Sequence, residues 1–185
     1  AAQPYAPSTV IITQGANLGL CLSCLKAGDR FGNCIAAVRD IDRNGLNDIA
    51  VGSRNAIFIV LLKKDSSYVC QACNPAVADY VALNISSSLS QDVVPDSLAM
   101  MGDLDGNGIA DLVYGVGAGD PSSPGNGYIQ IVMLSRSCAG GQAICVLSLA
   151  KRISYVETVG ASASASALFG SSLSPIGDLN GDHVP

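Results

Sequence analysis

Apolar residues in this chain come in short runs of strand length, set apart by polar, glycine-rich stretches. Residues 9–13 are β-branched and apolar, a buried-strand signal, and residues 18–25 alternate with period two over much of their length. After a turn at 27–30 and the pair Phe31-Gly32 comes a short apolar strand at 34–38. Residues 48–52 form the next strand, 56–62 a strongly apolar one, and 77–85 a fourth. The order then recurs, with strands expected at 98–101, 112–116, 128–134 and 146–155. Polar or low-complexity connections fall at 63–74, 86–96, 117–127 and 159–167. Helical periodicity is sustained nowhere, because Gly, Ser, Asn and Pro keep interrupting it. The pattern predicts an all-β fold of repeated short strands.

Between the first two strands of each group lies one polar pattern. It reads Asp40-Ile41-Asp42-Arg43-Asn44-Gly45-Leu46-Asn47-Asp48, then Asp103-Leu104-Asp105-Gly106-Asn107-Gly108-Ile109-Ala110-Asp111. It begins again as Asp178-Leu179-Asn180-Gly181-Asp182. Loop starts at 40, 103 and 178 give spacings of 63 and 75 residues, with four strands per period. That is the strand content of a propeller blade.

Alternate residues of a tight turn point to one side, so Asp40, Asp42 and Asn44 are expected to converge on one cation. Gly45 permits the bend, the Leu46 carbonyl adds an oxygen, and Asp48 closes the cage. The second loop offers Asp103, Asp105, Asn107, the Ile109 carbonyl and Asp111 in the same positions. The third offers Asp178, Asn180 and Asp182. Calcium is the expected ion, in two complete loops and one partial one, because it takes six to eight mixed oxygen ligands. Magnesium fits less well, since it keeps much of its water. The bland alternative is a set of Asx-turns that tie hairpins without metal. An EF-hand is excluded: position 12 holds Val51 and Tyr114 where that loop needs a bidentate Glu, and no helices flank the loops.

Composition narrows the class. The chain has 185 residues, 49% apolar and 14% charged, enough for a domain-sized core. No apolar run approaches the roughly 18 residues of a membrane helix. The net charge of −5 argues against nucleic acid as a partner. Of 15 acids, eight lie in the three loops, so acidity here reads as ligand supply. The sequence opens on Ala1-Ala2-Gln3-Pro4 without a signal-peptide pattern and is read as a mature or trimmed piece of something longer.

The seven cysteines sit at Cys21, Cys24, Cys34, Cys70, Cys73, Cys138 and Cys145. Two Cys-x-x-Cys pairs admit a zinc site. Local disulfides among Cys21, Cys24, Cys70, Cys73, Cys138 and Cys145 are the favoured reading and imply an oxidising, extracellular compartment. Cys34 is then left over, either a small buried apolar residue or a bridge to another chain. Asn84-Ile85-Ser86 is a glycosylation sequon that agrees with this compartment. Catalysis finds little support. The single His is His183, and no Ser-His-Asp set, nucleophile elbow or phosphate-binding Gly loop is present.

Phe31-Gly32, then the loop from Asp40, then Asp48-Ile49-Ala50-Val51-Gly52 resembles the FG-GAP repeat, the blade unit of integrin α-subunit-type β-propellers. Phe169-Gly170 stands at the same offset before Asp178. The middle copy departs, with Val94-Pro95 in place of Phe-Gly. The Gly-Ala-Pro element is reduced to Gly52-Ser53-Arg54 and Gly115-Val116-Gly117, and His183 replaces a loop Gly. The resemblance implies four-stranded antiparallel blades in a propeller-like array, incomplete at both ends. Residues 1–30 are then a lead-in with outer strands of a preceding blade, 31–97 and 98–168 two blades, and 169–185 the start of another.

Three functions follow as expectations. The first is an extracellular, calcium-stabilised structural protein that self-assembles into a filament or surface layer. The second is an integrin-like adhesion or ligand-binding propeller. The third is a non-catalytic propeller attached to a secreted hydrolase. The Ala-, Ser- and Gly-rich composition and the scarcity of aromatic anchors, with three Phe, six Tyr and no Trp, favour the first. The expected partner is another copy or another extracellular protein.

Overall fold

The structure, a computed structural model, is described for residues 25–62, 77–85, 92–118, 126–136, 145–155 and 167–181. The strand expected at 9–13, most of that at 18–25, and the connection at 63–74 lie outside the described residues.

Among the described residues eight strands form: β1 (Ile35–Ala37), β2 (Ile49–Ser53), β3 (Ala56–Leu62), β4 (Val77–Asn84), β5 (Ser97–Met100), β6 (Leu112–Val116), β7 (Tyr128–Ser135) and β8 (Cys145–Ser154). They make two four-stranded antiparallel sheets, ordered β1-β2-β3-β4 and β5-β6-β7-β8, and neither closes on itself. The all-β expectation and the four-strand grouping therefore hold. Every strand lies within a residue or two of the sequence-based span. The polar loops join β1 to β2 and β5 to β6, at one end of each sheet.

The β2–β3 corner needs only Arg54 and Asn55, with Asn55 at φ 61°. Gly127, at φ 65°, occupies the same corner between β6 and β7, although residues 117–127 fill that connection. The chain leaves both corners alike. The Asn55 carbonyl accepts from the Ile85 N–H, and the Gly127 carbonyl accepts from the Tyr155 N–H.

Alternation within each strand sorts residues to two faces. From the first sheet Ala50, Ile57, Ile59 and Leu61 meet Leu98, Leu112, Tyr114 and Val132 of the second in one continuous core. The other face of the first sheet carries Val51, Phe58 and Val60, covered by Leu25 and Phe31. Phe31 meets Phe58 edge-on at 5.5 Å. Burial on both faces is why β3 reads as an unbroken apolar run (AIFIVLL) rather than an alternating one.

The same junction links each repeat to the next. The Cys34 thiol and the Asn33 side chain both donate to the Pro95 carbonyl, at 3.2 and 2.7 Å. One repeat later the Ser97 hydroxyl donates to the Gly170 carbonyl at 2.7 Å. Cys34 and Ser97 occupy equivalent positions, as do Pro95 and Gly170. The Val94-Pro95 departure is thereby explained: the junction uses a carbonyl oxygen, which proline retains, and the Asp96 N–H bonds the Gly115 carbonyl in its stead.

Close approach at this junction demands glycine on the neighbouring strand. A Cβ at Gly115 would lie 1.9 Å from the Gly170 oxygen and 2.7 Å from Ser97 Oγ. Gly115→Ala is expected to displace residues 167–181 from the second sheet and to cost about 1–3 kcal/mol, as overpacking does. Denaturant unfolding measures the loss, and hydrogen exchange should localise it to Phe169 to Ser171. Unchanged protection there would contradict the packing.

Candidate metal centre

Each acidic loop closes on the two strands it joins and on the start of the third-strand exit. In the first, the Asp40 carboxylate accepts the Asn44 and Gly45 N–H groups at 2.9 and 2.7 Å. Asp42 accepts Asn44 N–H at 3.1 Å and its side-chain amide at 2.8 Å. Asp48 is fully buried. One of its oxygens accepts Ile41 N–H and the other Leu62 N–H, both at 2.8 Å.

The second loop repeats the arrangement. Asp103 accepts from Gly106, Asn107 and Gly108 at 2.8, 3.0 and 2.7 Å. Asp105 accepts from Asn107 at 3.1 Å. Buried Asp111 accepts from Leu104 and Leu134 at 2.8 and 2.9 Å. Asn44 and Asn107 act as spacers, each accepting from the residue two further on, Leu46 or Ile109. Their amide groups donate to the Leu62 and Leu134 carbonyls on β3 and β7.

Asp40, Asp42 and Asp48 bring one carboxylate oxygen each within 4.8 Å of the others, and so do Asp103, Asp105 and Asp111. Both clusters could hold a metal ion. The donors are carboxylates, with Asn oxygens beside them, a set suited to a hard cation. Leu46 and Ile109, expected to add carbonyls, sit in the loops with Ile109 buried.

Electrostatics point the same way. Burial pushes the Asp48 carboxyl above its ordinary value of 3.8; the Leu62 and Ile41 N–H groups oppose this, and the charges of Asp42 and Asp40 add to it. Asp111 is raised likewise by burial, against Leu134 and Leu104, with Asp105 and Asp103 adding to it. Asp103 is lowered, chiefly by the Gly108 N–H, against some desolvation. Desolvation is the largest single influence on Asp40, yet the N–H groups of Gly45, Asn44 and Arg43 outweigh it and lower the carboxyl. Asp92, bonded by Asn55 and Arg54 at the far corner, is also lowered. A bound cation would relieve the raised pair.

The sign of the pH dependence follows for metal-free protein. The carboxyls of Asp48 and Asp111, raised on folding, contribute stability that is present below 3.8 and lost as pH climbs through their folded values. Those of Asp40, Asp92 and Asp103 contribute above 3.8, and this is lost as pH falls through their lowered values. Stability after metal removal should therefore be greatest near pH 3.8, falling below it through the lowered values and above it through the raised ones. Urea midpoints taken from about pH 3 to about pH 8 check it; a steady rise to neutrality would contradict the assignment.

The third loop is described as far as residue 181. Gly181 N–H bonds Asp178 at 2.6 Å, as Gly106 N–H bonds Asp103. Asp178 and Asn180 are exposed, and Asp182 lies outside the described residues. A regularity not read from the sequence is a left-handed residue at the fourth loop position: Arg43 at φ 64°, Gly106 at 77° and Gly181 at 79°. Glycine in two of the three copies was the available signal.

Of the cysteines, Cys21, Cys24, Cys70, Cys73 and Cys138 lie outside the described residues, and Cys145 opens β8 with its side chain undescribed. The expected pairings thus fall outside this structure. Cys34 is described: its thiol is half-buried, unpaired with another cysteine, and bonded to Pro95. Burial, with Asp96 nearby, pushes its pKa to about 11 against the Gly52 N–H. A thiol so held is a poor nucleophile, which favours the packing role over a bridge to another chain. Asn84 ends β4 with its side chain exposed, while Ser86 of the sequon is outside the described residues. His183 is outside them too. No protein-family model matches the chain, and no curated protein matches it.

Proposed function

We propose that this chain is an extracellular, calcium-stabilised structural protein that self-associates into a filament or surface layer, its two sheets being blades of an FG-GAP-like, propeller-type array. One observation carries the reading: the same acidic clip stands at the same place in both sheets. In each, a buried Asp on the loop's ninth position ties loop to third strand, Asp48 to Leu62 and Asp111 to Leu134. A recognition site has no reason to recur at each repeat; a structural fastening does.

Calcium is favoured over other cations by the all-oxygen donor set and the irregular cage. Asp40, Asp42 and Asp48 would hold one ion and Asp103, Asp105 and Asp111 another, with Asn44, Asn107 and the Leu46 and Ile109 carbonyls as further oxygens. A third ion at Asp178, Asn180 and Asp182 belongs to the same proposal. When bound, the ion supplies charge neutralisation and loop rigidity, not catalysis. A non-catalytic role is supported by the lack of any nucleophile–base pattern in the sequence. The extracellular placement is supported by the cysteine content and by the exposed Asn84. Thermal unfolding in calcium, in magnesium and after chelation is the decisive test. Indifference to all three would sink the calcium reading.

A further inference from the structure

One side chain reaches from the second sheet into the first acidic loop. Arg136, two residues past Leu134, donates from its guanidinium to the Ile41 carbonyl. Ile41 stands between Asp40 and Asp42, two of the three acids of the first cluster. Its N–H is bonded to the third, Asp48, at 2.8 Å. Its side chain is buried in the core that both sheets share. A change in the first loop is thereby carried to Arg136.

The other end of this link is the second loop. The Leu134 N–H bonds Asp111 at 2.9 Å, and the Leu134 carbonyl accepts from the Asn107 amide group at 2.8 Å. Leu134 is fully buried in the same core as Ile41. A single residue, the buried Ser135, separates it from Arg136. The arginine is held there at a penalty: its Nε is buried with no acceptor among the described residues, and orphan donors of this kind are rare. An apolar side chain would fill the space without that penalty, so the bond to Ile41 is what the arginine provides. A basic residue recurs at this place in the sequence, Lys64 lying two residues beyond Leu62.

We propose that the two cation sites are coupled through Arg136, so that filling one loop raises the affinity of the other. The proposal rests on the calcium reading above and adds the regulation of those sites. Once Asp40, Asp42 and Asp48 are drawn together on a cation, Ile41 is fixed, and with it Arg136 and the exit of β7. The second loop then has less left to order when it fills, which gives positive cooperativity without a shared ligand. The dependence is reciprocal, because the coupling free energy is common to both sites.

A calcium titration followed by NMR tests it. The amides of Gly45 and Gly108, bonded to Asp40 and Asp103, report the two loops separately. Four proteins are compared: the unaltered chain, Asp42→Ala to disable the first loop, Arg136→Gln, and the two changes together. Asp42→Ala should weaken calcium binding read at Gly108 about 5-fold or more, the lower end of ordinary couplings. In the Arg136→Gln background the same change should leave the Gly108 midpoint where it was. Arg136→Lys, which keeps a cationic donor, should restore part of the dependence. If Asp42→Ala does not fold, Asp105→Ala read at Gly45 runs the same cycle from the other loop. A Gly108 midpoint indifferent to Asp42→Ala with Arg136 in place would overturn the coupling and leave calcium binding standing. Equal weakening in both backgrounds would overturn the route through Arg136. No calcium response at either glycine would overturn this proposal and the calcium reading together.

Discussion

Excess calcium added to chelator-treated protein should raise its melting temperature by on the order of 10 °C. A ligand at 100 times its dissociation constant stabilises the native state by about 2.7 kcal/mol per site. Two complete loops give about 5 kcal/mol, and a chain of this size gains roughly 2–4 °C per kcal/mol. The shift should be concentration-dependent. Its physical source is the crowding of three carboxylates within 4.8 Å in each loop, two of them pressed by the fully buried third. Magnesium at equal concentration should give a smaller shift, because it gives up its water reluctantly. A melting temperature unmoved by calcium would leave the loops as metal-free turns, and their side-chain to backbone bonds would then account for their shape alone.

Replacing Asp111 with Ala should cost about 3 kcal/mol or more, with or without calcium. The carboxylate is fully buried and satisfies the N–H groups of Leu104 and Leu134. Removing it leaves the buried Leu134 N–H and the half-buried Leu104 N–H without acceptors, at about 1–3 kcal/mol each. Asp48→Ala should behave alike through Ile41 and Leu62. Asp105→Ala is the informative contrast. Asp105 is exposed and accepts one N–H, from Asn107, at 3.1 Å. Its loss should cost under about 1 kcal/mol without metal and yet remove much of the calcium shift at that loop. Urea unfolding in calcium and in chelator separates the two behaviours. Equal losses for Asp105 and Asp111 in chelator would contradict the division of labour between ligand and clip.

The strand grouping was legible because period-two runs and Asp-rich turns alternate so regularly, and the loop spacing alone brought the right carboxylates together. The clip was harder to see. In the first repeat it follows from the two-residue corner at Arg54-Asn55, which sets Ser53 opposite Ala56 and so carries Asp48 to the exit of β3. In the second repeat the connection at 117–127 hides that register, and only the pairing of Leu112 with Val132 reveals why Asp111 reaches Leu134. Val94-Pro95 looked like a broken motif because the sequence displays side chains, while the junction is built on a backbone oxygen. Cys34 was ambiguous for a related reason. Its counterpart Ser97 identifies it as a hydrogen-bond donor, an equivalence that needs the strand register to be seen.

The corner between the second and third strands tolerates two residues in one repeat and residues 117–127 in the other, with Asn55 and Gly127 leaving it at nearly the same φ. It lies at the opposite end of the sheet from the acidic loop; in the first repeat Arg54 and Asn55 are tied there to Gly28, Asp92 and Val93, while the second repeat carries the longer connection. Of the two corners, the one in the second repeat is therefore the permissive one. Foreign peptide grafted into the second repeat's corner would ride on a sheet whose other strands keep their pairing.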